Sequence, residues 1–172
     1  MGLFARIFGS GKDDHAVVRP LWHAVVARAR APRLYADLGL ADTVAGRFDA
    51  ITLVLAAVLV RMEAEPALRA LTARLTELYV DDMDGQQRES GVGDLVVGKR
   101  MGRLMSVMGG RIDAVRAGLA ATADAELAAA IGRNATLNEG ADPALLAAEL
   151  RRFATGLGAV PAERLLAGEL PQ

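Results

Sequence analysis

The sequence predicts an all-α fold, a single-domain bundle of about four long helices with several short ones. Alanine and leucine dominate, no segment alternates apolar and polar residues as a strand does, and apolar residues recur every three or four positions. Apolar residues make up 52% of the 172 residues and charged residues 24%, as expected for one globular core. We expect a flexible amphipathic segment at 1–14, a helical domain at 15–168 and a frayed tail at 169–172.

Proline, glycine and capping residues set the bounds of the predicted helices. In chain order these helices span about 17–31, 32–38, 42–62, 65–83, 95–119, 123–131, 143–157 and 161–166. Pro20 is tolerated in the opening turn of the first helix, and Pro32 ends that helix. Gly39 ends the short second helix, and Asp42 with Thr43 supplies oxygen atoms that cap the third. The third helix contains the longest apolar run, so we expect it to form the core.

The later helices have similar signals. Pro66 opens the fourth helix, whose leucines form one apolar stripe. Glycines are frequent between Gly85 and Gly98, which indicates at least one turn before the fifth helix. Asp142 is a typical cap for the helix at 143–157, and Pro143 then occupies its first position.

Composition excludes several classes of function. A net charge of -1 with no concentrated basic patch argues against nucleic-acid binding. The chain has no cysteine, so disulfides, thiolate nucleophiles and thiolate metal sites are excluded, and a cytoplasmic location is favoured. We expect neither a signal peptide nor a membrane span, since the longest apolar run, Ala50 to Val60, falls far short of the roughly 20 residues that a span needs.

Candidate catalytic and cofactor sites are weak. The stretch from Gly93 to Lys99 approximates a phosphate-binding loop, but Arg100 replaces the Ser or Thr that binds magnesium, and a helix rather than a strand precedes it. His15 and His23 are too far apart to share a metal, and we expect His23 to pack at the edge of the core. The sequence therefore predicts no enzyme, no cofactor and no metal.

Two apolar faces are candidates for contact with a partner. Met101, Met105 and Met108 follow one another at helical spacing with Leu104 close by, which is typical either of an adaptable binding surface or of ordinary core. The N-terminal segment carries a second group, which either contacts a membrane or a partner or is a disordered or docked terminus. Its members are Leu3, Phe4, Ile7 and Phe8.

Two blocks of sequence resemble the ubiquinol-cytochrome c chaperone family in residue order and spacing. The first block comprises Ala31-Pro32, Leu34 to Gly39, Asp42-Thr43 and Gly46 to Asp49. The second comprises Asp81 to Asp84, Arg88-Glu89 and Gly91 to Met101. The resemblance covers roughly residues 21–119, and it identifies no counterpart for the chain after about Leu119.

The resemblance implies a non-enzymatic assembly factor for the cytochrome bc1 complex, at work in the cytoplasm or at the inner face of the cytoplasmic membrane. Its expected partner is newly made cytochrome b, together with a small partner subunit. We place the client groove along the methionine face and the neighbouring helix. The charged rim of that groove would be formed by Asp81, Asp82, Arg100 and Arg103. The alternative is a helical scaffold or adaptor with a different protein partner.

Overall fold

The computed structural model describes residues 15–89 and 97–171, and the side chains of residues 84–105 lie outside this description. Over those residues the chain forms nine helices. They are α1 (Arg19–Ala29), α2 (Pro32–Ala36), α3 (Val44–Glu63), α4 (Pro66–Arg69), α5 (Thr72–Glu89), α6 (Val97–Ala120), α7 (Asp124–Asn134), α8 (Pro143–Gly158) and α9 (Ala162–Leu166). The all-α fold class is confirmed, and the four longest helices are α3, α5, α6 and α8.

Helix α3 is the centre of the fold, as its apolar run predicts. Every residue from Asp49 to Leu59 is buried, and the helix packs against α1, α4, α5, α6 and α8. A helix that is apolar on all sides is stable only when other elements surround it. Its buried Thr52 hydroxyl bonds to the Phe48 carbonyl at 3.0 Å and lies 3.1 Å from the Tyr79 hydroxyl, so this polar group is satisfied within the core.

Capping residues begin and end the helices largely as predicted. Gly39 has a φ of 82°, a left-handed conformation that favours glycine after a helix. The Thr43 hydroxyl accepts a hydrogen bond from the Gly46 amide at 3.1 Å and caps α3. The Asp142 carboxylate accepts a hydrogen bond from the Ala144 amide at 2.9 Å and caps α8.

The prediction of one continuous helix over 65–83 is wrong, because the chain turns between α4 and α5. The Leu71 amide donates to the Leu68 carbonyl at 2.9 Å, and the Thr72 hydroxyl donates to the Arg69 carbonyl at 2.8 Å. These short-range bonds replace helical ones at the turn, while Leu68 stays buried next to α3. Gly85 and Gly98 lie inside α5 and α6, and the rest of the stretch for which we predict a turn, residues 90–96, lies outside the described residues.

Leu170 and Pro171, in the tail that we expected to fray, lie against the helices. Leu170 is partly buried and packs against the core. The Pro171 side chain lies so close to Gly156 that a Cβ there would be 2.9 Å from it. The end of the described chain thus covers the outer surface of α8.

Two loops that are distant in sequence pair with each other. Leu40 and Leu137 form an isolated antiparallel bridge. The Ala41 amide donates to the Thr136 carbonyl at 3.0 Å, and the Asn138 amide donates to the Gly39 carbonyl at 2.9 Å. This bridge fixes the loop before α3 to the loop between α7 and α8.

Candidate functional site

The predicted methionine face is described only at one end. Met108 is 4% exposed and belongs to the hydrophobic core, so the core interpretation holds for this residue and its side chain is not free to line a groove. The remaining side chains predicted for this surface, except for the two aspartates, lie outside the described residues. They are Met101, Leu104, Met105, Arg100 and Arg103.

The acidic end of α5 contacts the N-terminal half of α1. Asp81 and Asp82 are both exposed, and the Asp82 carboxylate accepts a hydrogen bond from the buried Trp22 indole at 2.7 Å. His23 is exposed, so the prediction that it packs at the core edge is wrong. Trp22 takes that position instead and packs edge-to-face against Tyr79.

Three further predictions concern the N-terminal apolar group, metal binding and membrane spanning. The N-terminal apolar group Leu3, Phe4, Ile7 and Phe8 lies outside the described residues. Within 15–89 and 97–171, no cluster of three or more His, Cys, Asp or Glu side chains has the arrangement of a metal site. In the same ranges, no helix is both long enough and apolar enough to span a bilayer.

A groove of about 750 Å³ lies where α1 ends, α2 begins and α3 starts, and we call it the α2–α3 groove. Its lining combines apolar and aromatic side chains with three charged ones. The lining residues are Arg30, Pro32, Tyr35, Ala36, Asp42, Val44, Arg47, Phe48 and Ile51. A concave surface of this size and mixed character is the usual form of a recognition site.

The apolar side chains of this groove range from buried to exposed. Ile51 is 6% exposed and belongs to the buried side of α3, whereas Phe48 is half-buried. Val44, in the first turn of α3, is 74% exposed, the highest value among the large apolar side chains described as exposed. An exposed valine beside a half-buried phenylalanine offers apolar area that the fold itself leaves uncovered.

The polar rim of the groove is held by two local interactions. The Arg47 guanidinium donates to the Asp42 carboxylate at 2.7 Å, and this bond lowers the pKa of Asp42. The Tyr35 hydroxyl donates to the Ala29 carbonyl at 2.7 Å, and burial raises the pKa of this hydroxyl. The rim therefore presents an ion pair and a fixed aromatic ring next to the apolar surface.

Two residues of the first sequence block support the groove from below. A Cβ on Gly46 would lie 1.9 Å from the Ala41 carbonyl oxygen, so only glycine allows the loop to pass this close to α3. Asp49 is 3% exposed, pairs with Arg111 of α6, and accepts hydrogen bonds from the Thr136 amide and hydroxyl, each at 2.7 Å. These contacts fix the start of α3 against both α6 and the 136–138 loop.

Sequence reasoning did not place a groove here, although it singled out many of its residues. The first block contains Ala36, Asp42, Arg47 and Phe48, which all line the groove, and three of them are exposed. Packing against the core does not explain exposed residues, so their presence in the block is the feature that makes this groove a candidate site. The block was therefore the usable signal, but the exposure of its members cannot be read from spacing alone.

Comparison with protein families finds a match over most of the chain. The family model described as ubiquinol-cytochrome C chaperone matches residues 36–171. The match includes α7, α8 and α9, so it extends the similarity beyond about Leu119, where the resemblance drawn from the sequence ends, to the end of the described chain.

Comparison with solved structures finds a protein with a similar fold. The crystal structure of the Cbp3 homolog from Brucella abortus matches with a TM-score of 0.79 and 35% sequence identity, over 92% of this chain and 90% of that one. A comparison with curated protein sequences finds no match.

Proposed function

Because this chain belongs to the ubiquinol-cytochrome C chaperone family, we propose that it is a non-catalytic assembly factor for the cytochrome bc1 complex that holds newly made cytochrome b or a similar apolar helical client. The family match over residues 36–171 is the observation that carries this proposal. The 35% identity to the Cbp3 homolog over most of both chains supports it.

The α2–α3 groove is our proposed client surface. A client of apolar helices needs a site with apolar contact area for its side chains and polar groups that fix its orientation. Val44 and Phe48 offer the apolar area, and the Asp42–Arg47 pair lies at its edge. Because Arg47 and Asp42 are 63% and 60% exposed, a client can exchange contacts with either charge without unfolding the groove.

We keep the methionine face as a second proposed contact surface. Met108 is no longer part of it, because this side chain is buried. It comprises Met101, Leu104 and Met105, with Asp81, Asp82, Arg100 and Arg103 as charged rim. We propose that a small partner subunit or a further part of the client binds there. Contact of Leu3, Phe4, Ile7 and Phe8 with the membrane is a separate proposal.

Deletion of the gene tests the assignment to the bc1 complex. We expect the deletion strain to lose the haem absorbance of the bc1 complex, and the intact gene to restore it. Normal bc1 haem absorbance in the deletion strain would contradict the proposal.

Site-specific photo-crosslinking in cells tests the client and the groove together. A photoreactive residue at Val44 should attach to cytochrome b, because this position is exposed inside the groove. Leu145 is a matched control, since it is 53% exposed, lies in the first turn of α8 and does not line the groove. Crosslinks from Val44 to an unrelated protein alone would instead favour the scaffold or adaptor alternative.

A further inference from the structure

A second groove, of about 430 Å³, lies between α1, α8 and the C-terminal tail. We call it the arginine groove, after Arg28, Arg33 and Arg152, which line it together with Glu149. Its remaining surface is made of small or apolar residues, including Ala27. This groove and the α2–α3 groove adjoin at residues 30–33, where each takes alternate residues of the chain.

One buried carboxylate faces all three guanidinium groups. Glu149 is 6% exposed, and its oxygens lie 2.6 Å from Arg28, 2.6 Å from Arg152 and 3.4 Å from Arg33. Arg28 also lies over the Phe153 ring, with its Cζ 5.2 Å from the ring centroid. The positive charges of Arg28 and Arg33 exceed the negative charge of Glu149.

The excess positive charge is accessible from solvent. Arg33 is 58% exposed and Arg152 52% exposed, while Glu149 lies beneath them. Arg30, at the end of α1, is exposed beside them on the adjoining groove. The lining of the two adjoining grooves therefore holds more guanidinium groups than carboxylates, although the whole chain has a net charge of -1.

Three carboxylates lie near the other end of α1, which begins at Arg19. Asp82 contacts Trp22 near the start of α1, and Glu77 contacts His15 just before it, at 2.9 Å. Asp81 is exposed next to them. The length of α1 thus separates an acidic region from a basic one.

We infer that the arginine groove binds the phosphate group of an anionic phospholipid, so that the C-terminal end of α1 and α2 lie on a membrane surface. Guanidinium groups form paired, charge-assisted hydrogen bonds with phosphate oxygens. Arginines near an anionic leaflet each contribute on the order of 1 kcal/mol to membrane attachment. Arg28 remains held by Glu149 and Phe153, so the groove is preorganised for the ligand.

A phospholipid fits this groove better than the client's own loops do, an argument that rests on the proposed function. Cytoplasmic loops of membrane proteins carry an excess of Lys and Arg. Such loops are repelled by Arg30 and Arg33 and are attracted to the acidic region around Asp81 and Asp82. Attachment through the arginine groove therefore leaves the acidic region for the client's positively charged loops, while the α2–α3 groove stays the proposed surface for its apolar segments.

Vesicle co-sedimentation of the full chain tests the inference without any client. We expect binding to vesicles of phosphatidylcholine with phosphatidylglycerol, no binding to phosphatidylcholine alone, and weaker binding as salt is raised. The double variant Arg30→Gln/Arg33→Gln should lose about fivefold in affinity for each arginine removed. Both arginines are exposed, so folding should be unchanged.

The matched control is Arg69→Gln/Arg133→Gln, which removes the same charge at exposed positions that line neither groove. Equal losses in the two double variants would overturn the inference, because the binding would then depend on net charge alone. Binding that disappears in Phe4→Ser/Phe8→Ser but is unchanged in Arg30→Gln/Arg33→Gln would overturn it as well, in favour of the N-terminal segment.

Inorganic phosphate and RNA distinguish the possible sources of phosphate. Competition by inorganic phosphate for the vesicles would support a phosphate site in the groove. Arginine-dependent binding of phosphate or RNA without binding to anionic vesicles would overturn the lipid assignment. Cytochrome b capture is measured separately, so a failure of lipid binding leaves the proposed function standing, and the reverse also holds.

Discussion

At the residue scale, Asp49 joins three parts of the chain through one carboxylate. Its oxygens bind Arg111 of α6 and both the amide and the hydroxyl of Thr136, while the residue itself belongs to α3. Asp49 belongs to the first sequence block, but the block does not predict that its partners lie on α6 and beyond α7. Those partners are 62 and 87 residues away, and nothing in local spacing identifies them.

We expect Asp49→Ala to destabilise the fold by about 2–4 kcal/mol, because it removes one partner of a buried pair whose other member, Arg111, is partly exposed. Thr136→Val should destabilise the fold less, by about 1 kcal/mol, because it removes one hydroxyl bond and keeps the amide bond. Urea unfolding followed by helix circular dichroism measures both. Equal losses in the two variants would contradict the assigned role of the carboxylate.

Glu149 links the stability of the fold to pH. Hydrogen bonds from Arg152, and then from Arg28, lower its pKa below the ordinary value against the opposing effect of burial. A carboxylate with a lowered folded-state pKa stabilises the fold above its unfolded pKa of about 4.3, and this contribution is lost as pH falls through the folded value. The free energy of unfolding should therefore fall as the pH drops below about 5.

The variant Glu149→Gln should be less stable than the parent chain at neutral pH, and its free energy of unfolding should change less over the same acid range. Urea unfolding at a series of pH values measures the two curves. Parallel curves would show that Glu149 is not the titrating group.

Val44 is a candidate contact residue of the α2–α3 groove because it is exposed there, and no sequence signal identified it. We expect Val44→Asp to abolish crosslinking or co-purification of the client and to leave stability nearly unchanged, since an acidic residue is favourable in the first turn of a helix. Leu145→Asp is matched in exposure, chemistry and helix position and should keep client capture. A loss in both variants would mean that the groove is not the specific site.

At the element scale, α6 contains glycines with opposite roles. A Cβ on Gly118 would lie 2.8 Å from the Leu127 Cα, so α6 and α7 approach each other closely there. A Cβ on Gly110 would meet nothing within 4 Å. In the sequence both are simply glycines in a helix. Only the packing of α7 shows that their surroundings differ.

We therefore expect Gly118→Ala to destabilise the fold by about 1–3 kcal/mol, because the backbone of α7 must move. Gly110→Ala should stabilise it by about 0.5–1 kcal/mol, because alanine has the higher helix propensity. Thermal unfolding of the two variants measures the difference in sign. Destabilisation by Gly110→Ala would contradict the open surroundings of this position.

The sequence predicts a helix boundary correctly where a local signal determines it. The prediction is wrong where tertiary packing determines the boundary. Thr43, Asp142 and Gly39 act through their own side chains or backbone angles, so their positions predict the bounds of α2, α3 and α8. The break between α4 and α5 has no glycine or proline at 70–71. It arises where the chain turns after Leu68 packs next to α3, which is a tertiary effect.

At the scale of the whole molecule, the fold class was predictable from the sequence and the α2–α3 groove was not. Ala- and Leu-rich helical spacing is enough for an all-α bundle with α3 at its centre. A groove depends on which residues of neighbouring helices stay exposed, as with Val44 on α3 and buried Met108 on α6. The charge separation along α1 likewise exists only after α5 and α8 have packed beside it.

The bridge between the 39–41 and 136–138 loops should open as one unit. We expect the Ala41 and Asn138 amides, which donate across the bridge, to share one opening free energy in native-state hydrogen exchange. Asp49→Ala should lower both together, because Asp49 holds Thr136 next to the bridge. The Val160 amide, bonded to the Leu157 carbonyl, provides a reference elsewhere in the fold, and independent exchange of the two bridge amides would contradict a single unit.

The same bridge has a consequence for the order of events during translation. A ribosome adds about 5–20 residues per second, so Leu137 is made about 5–20 seconds after Leu40. Until then the loop that leads into α3 has no opposite loop, and Asp49 has neither Thr136 nor Arg111. A nascent copy therefore reaches the ribosomal exit before the contacts that fix the start of α3 beside the α2–α3 groove can form, and we expect client binding through this groove only after residues 136–138 have been made.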